Sequence, residues 1–140
     1  MAQRILCIDP AKENCGIVIV SRPASVIEYH ATLNRLDACA FVEATRDMAR
    51  VLLELPPLRA DAMEGPGITY WLLHRIAVEK YGKPNVISIN PGNWKPVAEA
   101  KGWMDREYTV LEDQHQVDAM CLYKFYCWRE NASRTARRKA

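Results

Sequence analysis

The stretch Arg4-Ile5-Leu6-Cys7-Ile8-Asp9-Pro10 decides how this chain is read. Four apolar residues in succession predict a strand buried on both faces. The carboxylate of Asp9 then falls at the strand's end, just before Pro10 breaks the ladder. An ionised carboxylate at the lip of a core is costly unless something pairs with it. Candidates are a cation, further acids sharing a metal, or a backbone N–H in an Asp-Pro turn. Two later segments, Met63-Glu64 and His115-Gln116-Val117-Asp118, are the expected partners, and together the three pieces are expected to hold a divalent metal.

Moving outward, residues 3–9 are the first strand and Cys15 to Val20 the second, returning antiparallel after a turn. Ser25 to Thr32 forms a third, outer strand. Asp37 is expected to cap a helix whose apolar residues (Phe41, Val42, Met48, Ala49, Leu52, Leu53) carry it through residue 54, until Pro56-Pro57 stops it. Arg59 to Glu64 is expected as a fourth strand, again ending in an acid. Gly65-Pro66-Gly67 turns the chain into a helix over 68–81, with Ile68, Trp71, Leu72 and Ile76 as its apolar side and Gly82 as terminator. Asn85 to Ile89 is a fifth strand, Asn93 caps a short helix over 94–101, and a final helix runs from about Asp113 to Trp128 on a stripe of Val117, Met120, Cys121, Phe125 and Trp128. Three meander strands followed by alternating units imply an α/β fold: a mixed five-stranded sheet, antiparallel and then parallel, with helices on both faces.

The 140 residues are 49% hydrophobic and 26% charged, which fits one globular domain. No apolar run reaches membrane-spanning length and no signal-peptide pattern opens the chain, so a cytoplasmic protein with no membrane partner is expected. The five cysteines include no CxxC pair and read as free thiols rather than a zinc site. The net charge of +2 is uneven. Arg129, Arg134, Arg137, Arg138 and Lys139 face only Glu130 after residue 128, while the remainder is slightly acidic. The expected organisation is a domain over residues 1–128 and a flexible basic tail over 129–140. Such a tail suits a polyanion; its alternative is a solvated terminus.

Most of the 17 acids must be solvated surface. Asp9, Glu64 and Asp118 differ by position, since two end apolar strands and one sits beside the apolar stripe of the last helix. His115 lies three residues before Asp118, so the two share a helix face. Hard oxygen donors with one imidazole favour Mg²⁺ or Mn²⁺. Taken singly, each residue has a plainer alternative: a turn cap for Asp9, a surface acid for Glu64, an ion pair for Asp118, a helix-start histidine for His115.

The ordered set Ile8-Asp9-Pro10, Gly16, Met63-Glu64 and His115-Gln116-Val117-Asp118-Ala119 resembles the RuvC-like Holliday-junction resolvases of the ribonuclease H-like superfamily. The segment Asn90-Pro91-Gly92-Asn93-Trp94-Lys95 resembles compact phage-type members. The resemblance implies a homodimeric endonuclease, bacterial or from a phage-infected cell, that resolves four-way DNA junctions by hydrolysis to 5′-phosphate and 3′-hydroxyl ends. It implies two metal ions, with Asp9 bridging them, Glu64 and Asp118 each holding one, and His115 ligating or orienting near the attacking water. Lys12, Lys95, Lys101 and the terminal Arg134, Arg137 and Arg138 are the expected phosphate contacts. The family's aromatic after the glutamate is replaced by Gly65-Pro66-Gly67, leaving Tyr70 or Trp71 to stack on DNA bases. Other branched DNA, an RNA/DNA hybrid, or a non-catalytic nucleic-acid-binding module of the same fold are the alternative readings.

Overall fold

A computed structural model of the chain describes residues 2–57, 63–104, 108 and 110–139, with the side chains of Met63 and Glu64 outside that description. Its strands are β1 (Gln3–Asp9), β2 (Cys15–Arg22), β3 (Val26–Leu33), β4 (Arg50–Glu54) and β5 (Val86–Ile89). Its helices are α1 (Arg35–Ala44), α2 (Ile68–Tyr81), α3 (Pro91–Lys101) and α4 (Gln114–Lys139). The five strands form one sheet in the order β3-β2-β1-β4-β5. β1, β2 and β3 pair antiparallel, whereas β4 runs parallel to β1 and β5 parallel to β4. This is the mixed sheet expected from the meander followed by alternating units.

Strand parity sorts the core into two layers. Ile5, Cys7, Val18, Val20, Leu52 and Ile89 pack with Trp94 of α3 and with Ala119, Cys121, Leu122 and Phe125 of α4. Leu6, Ile8, Ile17, Ile19, Val51 and Leu53 pack on the other face with Ala38 and Val42 of α1 and Tyr70, Leu73 and Ala77 of α2. Ile5 to Ile8 are all fully buried, as a strand covered on both faces requires. Among the described residues no helix is long and apolar enough to cross a membrane.

The structure corrects the reading of residues 44–64. The helix expected to reach residue 54 ends at Ala44, where Thr45 turns to extended backbone and caps the last turn through its N–H to Phe41 and Val42. Asp47 adopts a positive φ of 60°, and the Ala49 N–H then donates to the carbonyl of Arg4 at 2.8 Å, so the chain joins the sheet there. Arg50-Val51-Leu52-Leu53-Glu54 is the strand beside β1, its three apolar residues fully buried. A short unbroken apolar run fits a buried strand as well as a helix, and periodicity cannot choose between them. The strand expected over 59–64 is not the fourth one. Residues 58–62 lie outside the described residues, and Met63–Gly67 form a π-helical turn leading into α2.

Smaller differences concern helix faces and ends. Asn34 caps α1 in place of Asp37, accepting from the Asp37 N–H at 2.8 Å, and Asn90 caps α3 in place of Asn93. On α2 the buried side is Thr69, Tyr70, Leu73 and Ala77, while Ile68, Trp71 and Leu72 are exposed. The last helix does not stop at Trp128. It continues through the basic segment to Lys139 as 26 helical residues.

One glycine fixes how closely α4 can lie on the sheet. Gly16 pairs with Asp9 across the β1–β2 ladder. A Cβ at Gly16 would overlap the carbonyl group of His115 and come within 2.9 Å of the Gln116 nitrogen. Backbone cannot yield to such a contact as the end of a flexible side chain can. We expect Gly16→Ala to lift the start of α4 and to cost about 3 kcal/mol or more, at the upper end of single-residue effects. Urea denaturation checks this, and a midpoint within error of wild type would contradict it.

Candidate metal centre

Parity carries the side chain at position 9 to the same face as Ile5 and Cys7, and that at position 54 to the face of Leu52. The parallel register pairs Ile8 with Leu53, so Asp9 and Glu54 leave adjacent strands at one edge. They share a side-chain hydrogen bond. Glu54 also accepts from the indole N–H of Trp94 at 2.6 Å. Trp94 is completely buried at the start of α3 and orients one oxygen of that carboxylate.

α4 supplies the rest. Asp118 accepts from the Gln114 side-chain amide at 2.7 Å, one helical turn earlier. His115 Nδ1 lies 3.8 Å from Asp9 Oδ2. The start of the helix is held by a polar network rather than by apolar packing. Asp113 accepts from the Gln116 backbone N–H at 3.0 Å and from the Thr32 hydroxyl at 2.5 Å. Gln116, 1% exposed, donates to Thr32 through Nε2, and its Oε1 accepts from the Glu112 N–H and lies 3.0 Å from His30 Nδ1. Against the opposing effect of partial burial, the bonds from Thr32 and Gln116 hold the Asp113 carboxyl below its ordinary range. β3 thereby anchors the turn of α4 that carries His115 and Asp118.

The electrostatics at this edge are unbalanced. Burial, then the charges of Glu54 and Asp118, push Asp9 up to about 9. Burial also raises Glu54 and Asp118. Lys95 of α3 works against all three shifts, its ammonium 5.5 Å from the centroid of the Trp94 ring. Carboxylates crowded at one edge hold their protons more tightly than free ones when too little positive charge faces them. A hard divalent cation with oxygen ligands fits that deficit and that donor chemistry. Among the described residues, no three His, Cys, Asp or Glu side chains are already closed around a single point that could hold an ion.

Of the residues expected at the site, Asp9, His115, Asp118 and Lys95 converge. Glu54 and Trp94 join them unanticipated. Glu54 carried a readable signal, because Val51-Leu52-Leu53-Glu54-Leu55-Pro56 repeats the pattern of β1: apolar run, acid, then proline. The side chain of Glu64 lies outside the described residues. Lys12 is exposed beside Gly65, whose carbonyl accepts from Arg35 at 3.0 Å. Lys101 is exposed in the last turn of α3. Tyr70 is 3% exposed and its hydroxyl pairs with Ser88, so it is not available to stack on DNA, whereas Trp71 is 58% exposed. Helical phase explains the exchange, since Tyr70 shares its side with Leu73 and Ala77. Arg134, Arg137 and Arg138 lie at the far end of α4.

The raised Asp9 has a consequence for stability without metal. A carboxyl that binds its proton more tightly when folded makes the fold lose stability as pH rises from its unfolded value near 4 toward 9. We expect the melting temperature of the metal-free protein to fall across that window. Asp9→Asn should flatten the fall and raise the melting temperature at pH 8 by several degrees, at roughly 3 °C per kcal/mol for a chain of this size. Calorimetry in EDTA tests both; an Asp9→Asn variant that melts lower than wild type at pH 8 would refute the burial argument.

No protein-family model matches the sequence, and no curated protein matches it. Solved structures do. The chain superposes on Thermus thermophilus RuvC in complex with a Holliday junction substrate with a TM-score of 0.67 at 13% identity, covering 89% of this chain and 94% of that one. It superposes on another T. thermophilus RuvC structure with a TM-score of 0.63 at 15% identity, covering 91% and 97%. The yeast mitochondrial Holliday junction resolvase Ydc2 gives 0.55 at 12% identity, covering 89% and 78%. With three antiparallel strands, two parallel ones and helices on both faces, the chain has the ribonuclease H-like fold in the form taken by RuvC resolvases.

Proposed function

We propose that this protein is a divalent-metal-dependent endonuclease that cuts branched DNA, four-way junctions first, at the sheet edge bearing Asp9, Glu54 and Asp118. The observation that carries the reading is the cluster of one buried and two half-buried carboxylates, all shifted upward by burial, on a RuvC-like fold. Asp9, Glu54 and Asp118 would hold the ions, with Glu54 in the role expected of Glu64. Mg²⁺ or Mn²⁺, two per site when bound, would supply charge neutralisation at the phosphate and make water there more acidic. Asp9, bonded to Glu54 on one side and 3.8 Å from His115 on the other, would be the central residue holding the ions.

The remaining work belongs to the chain's own groups. His115 stands at the lip of the site, its side chain 42% exposed, where it can take a proton from the attacking water. Water adds to phosphorus as its proton passes to His115, the bond to the 3′-oxygen breaks, that oxygen takes a proton from solvent, and 5′-phosphate and 3′-hydroxyl ends result. Lys95 contributes fixed positive charge at the scissile phosphate, and Lys12 is exposed close by to hold the flanking backbone. A homodimer would present two such sites to the two-fold symmetry of a junction. The exposed Ile68, Trp71 and Leu72 of α2 support pairing through that helix.

The decisive experiment incubates the protein with a labelled four-way junction, a flap, a linear duplex and an RNA/DNA hybrid, in Mg²⁺, Mn²⁺ or EDTA. Metal-dependent cleavage of the junction above the others is expected, and no cleavage of any substrate would sink the proposal. Asp9→Asn and Glu54→Gln should each lower the cleavage rate by about 10³-fold or more while retaining junction binding, as expected for groups acting at the transition state. Glu64→Gln should stay within about tenfold of wild type; the reverse ranking of Glu54 and Glu64 would move the third ligand to the other acid. Trp71→Lys should shift the sedimentation coefficient from dimer to monomer, and a monomeric wild type would remove the pairing.

A further inference from the structure

The basic segment is not an adjunct of the candidate metal centre. α4 begins beside Asp9 and carries Asp118 in its second turn, then continues unbroken to Lys139. From Asp118 to Arg134, Arg137 and Arg138 the helix climbs 16, 19 and 20 residues, about 24–30 Å at 1.5 Å each. The one acid near this end, Glu130, is engaged by Arg22 at 2.8 Å, and against the effect of burial the hydrogen bonds from Arg22 and Tyr126, then the Arg22 and Arg134 charges, hold its carboxyl low. Residues 131–139 contain no acid and all are exposed. Arg134 shares Glu130 with Arg22, Arg137 and Arg138 lie beyond the last acid of the helix, and the helix holds all three at a fixed distance from the acids of the candidate centre.

We infer that the distal end of α4 is a second DNA-binding surface, which grips the phosphates of a duplex arm about 7–9 base pairs from the scissile bond, given about 3.4 Å per step. The inference rests on the nuclease reading above and adds where the arm must run. Charge selects a polyanion, and composition selects among polyanions. The only apolar residues in 129–139 are Ala132 and Ala136. A helix that lies in a lipid interface needs a face of large apolar residues, which this segment lacks. Backbone phosphates ask only for guanidinium groups spaced along a surface. Such a contact is blind to sequence and sensitive to salt. It would measure arm length, because an arm too short to reach Arg134 would miss it.

The test measures binding of the full-length protein in EDTA, so it does not depend on cleavage. Wild type and the Arg134→Gln/Arg137→Gln/Arg138→Gln variant are titrated onto a long-armed junction across a salt series. The same is done with a junction whose arm phosphates at about 7–9 base pairs from the crossover are neutral methylphosphonates. On the unmodified junction the triple variant should reduce the slope of log affinity against log salt by up to about three. On the modified junction wild type and variant should bind alike. Circular dichroism confirms that the variant folds. An unchanged slope on the unmodified junction, with binding retained, overturns the distal contact while leaving the nuclease reading intact. An equal loss on both junctions overturns the assigned distance. Charge-dependent capture by phosphatidylserine vesicles, with the DNA slope unchanged, overturns it in favour of a lipid surface.

Discussion

The parallel pairing of β1 with β4 is the constraint on which the rest of the molecule depends. It sets two buried apolar strands side by side in register, and each ends in a carboxylate. Parity then sends both acids to the same face, where α3 and α4 must pack. Everything unusual at that edge follows from this crowding. Trp94 turns its indole N–H onto Glu54, Lys95 offsets part of the charge, and Asp9 retains its proton far above the ordinary carboxylate range. A fold selected for stability alone would not bring three carboxylates to one place.

The second helical layer contributes by polar contacts rather than by apolar bulk. Buried Gln116 ties α4 to β3 through Thr32 and His30, and Asp113 caps the same turn. A buried amide bonded through both ends resists sliding and rotation, which an apolar contact allows. Gly16 completes the arrangement from below by leaving room for the His115 backbone. Helix position and helix rotation are thus fixed separately, one by an absent side chain and one by a saturated one.

Much of this was legible in the sequence, for identifiable reasons. β1 and β2 are β-branched and apolar runs between turn residues, and the pairing of His115 with Asp118 is a matter of helical spacing. The fold class followed from element order. Arg50 to Glu54 was misread because three consecutive apolar residues also continue the spacing of Phe41, Val42 and Met48, so a strand passed as the end of a helix. With that strand unseen, the next acid before a glycine turn, Glu64, took the place of Glu54. Tyr70 and Trp71 exchanged roles because Ile68, Trp71 and Leu72 form as regular an apolar side as Tyr70, Leu73 and Ala77. Periodicity alone does not say which of two apolar sides faces the sheet.

The separation of the site's parts along the chain has a consequence for biosynthesis. Asp9 is made first, Glu54 and Lys95 follow, and His115 and Asp118 come only with α4. All of the described strands, and the three earlier helices, can be assembled before the carboxylate of α4 exists. A nascent chain would carry the paired acids of β1 and β4 on an exposed sheet face, without the helix that completes their charge and covers their apolar neighbours. On the nuclease reading proposed above, the chain would remain inert throughout its own synthesis, gaining the last of its three clustered acids in the same step that closes its core.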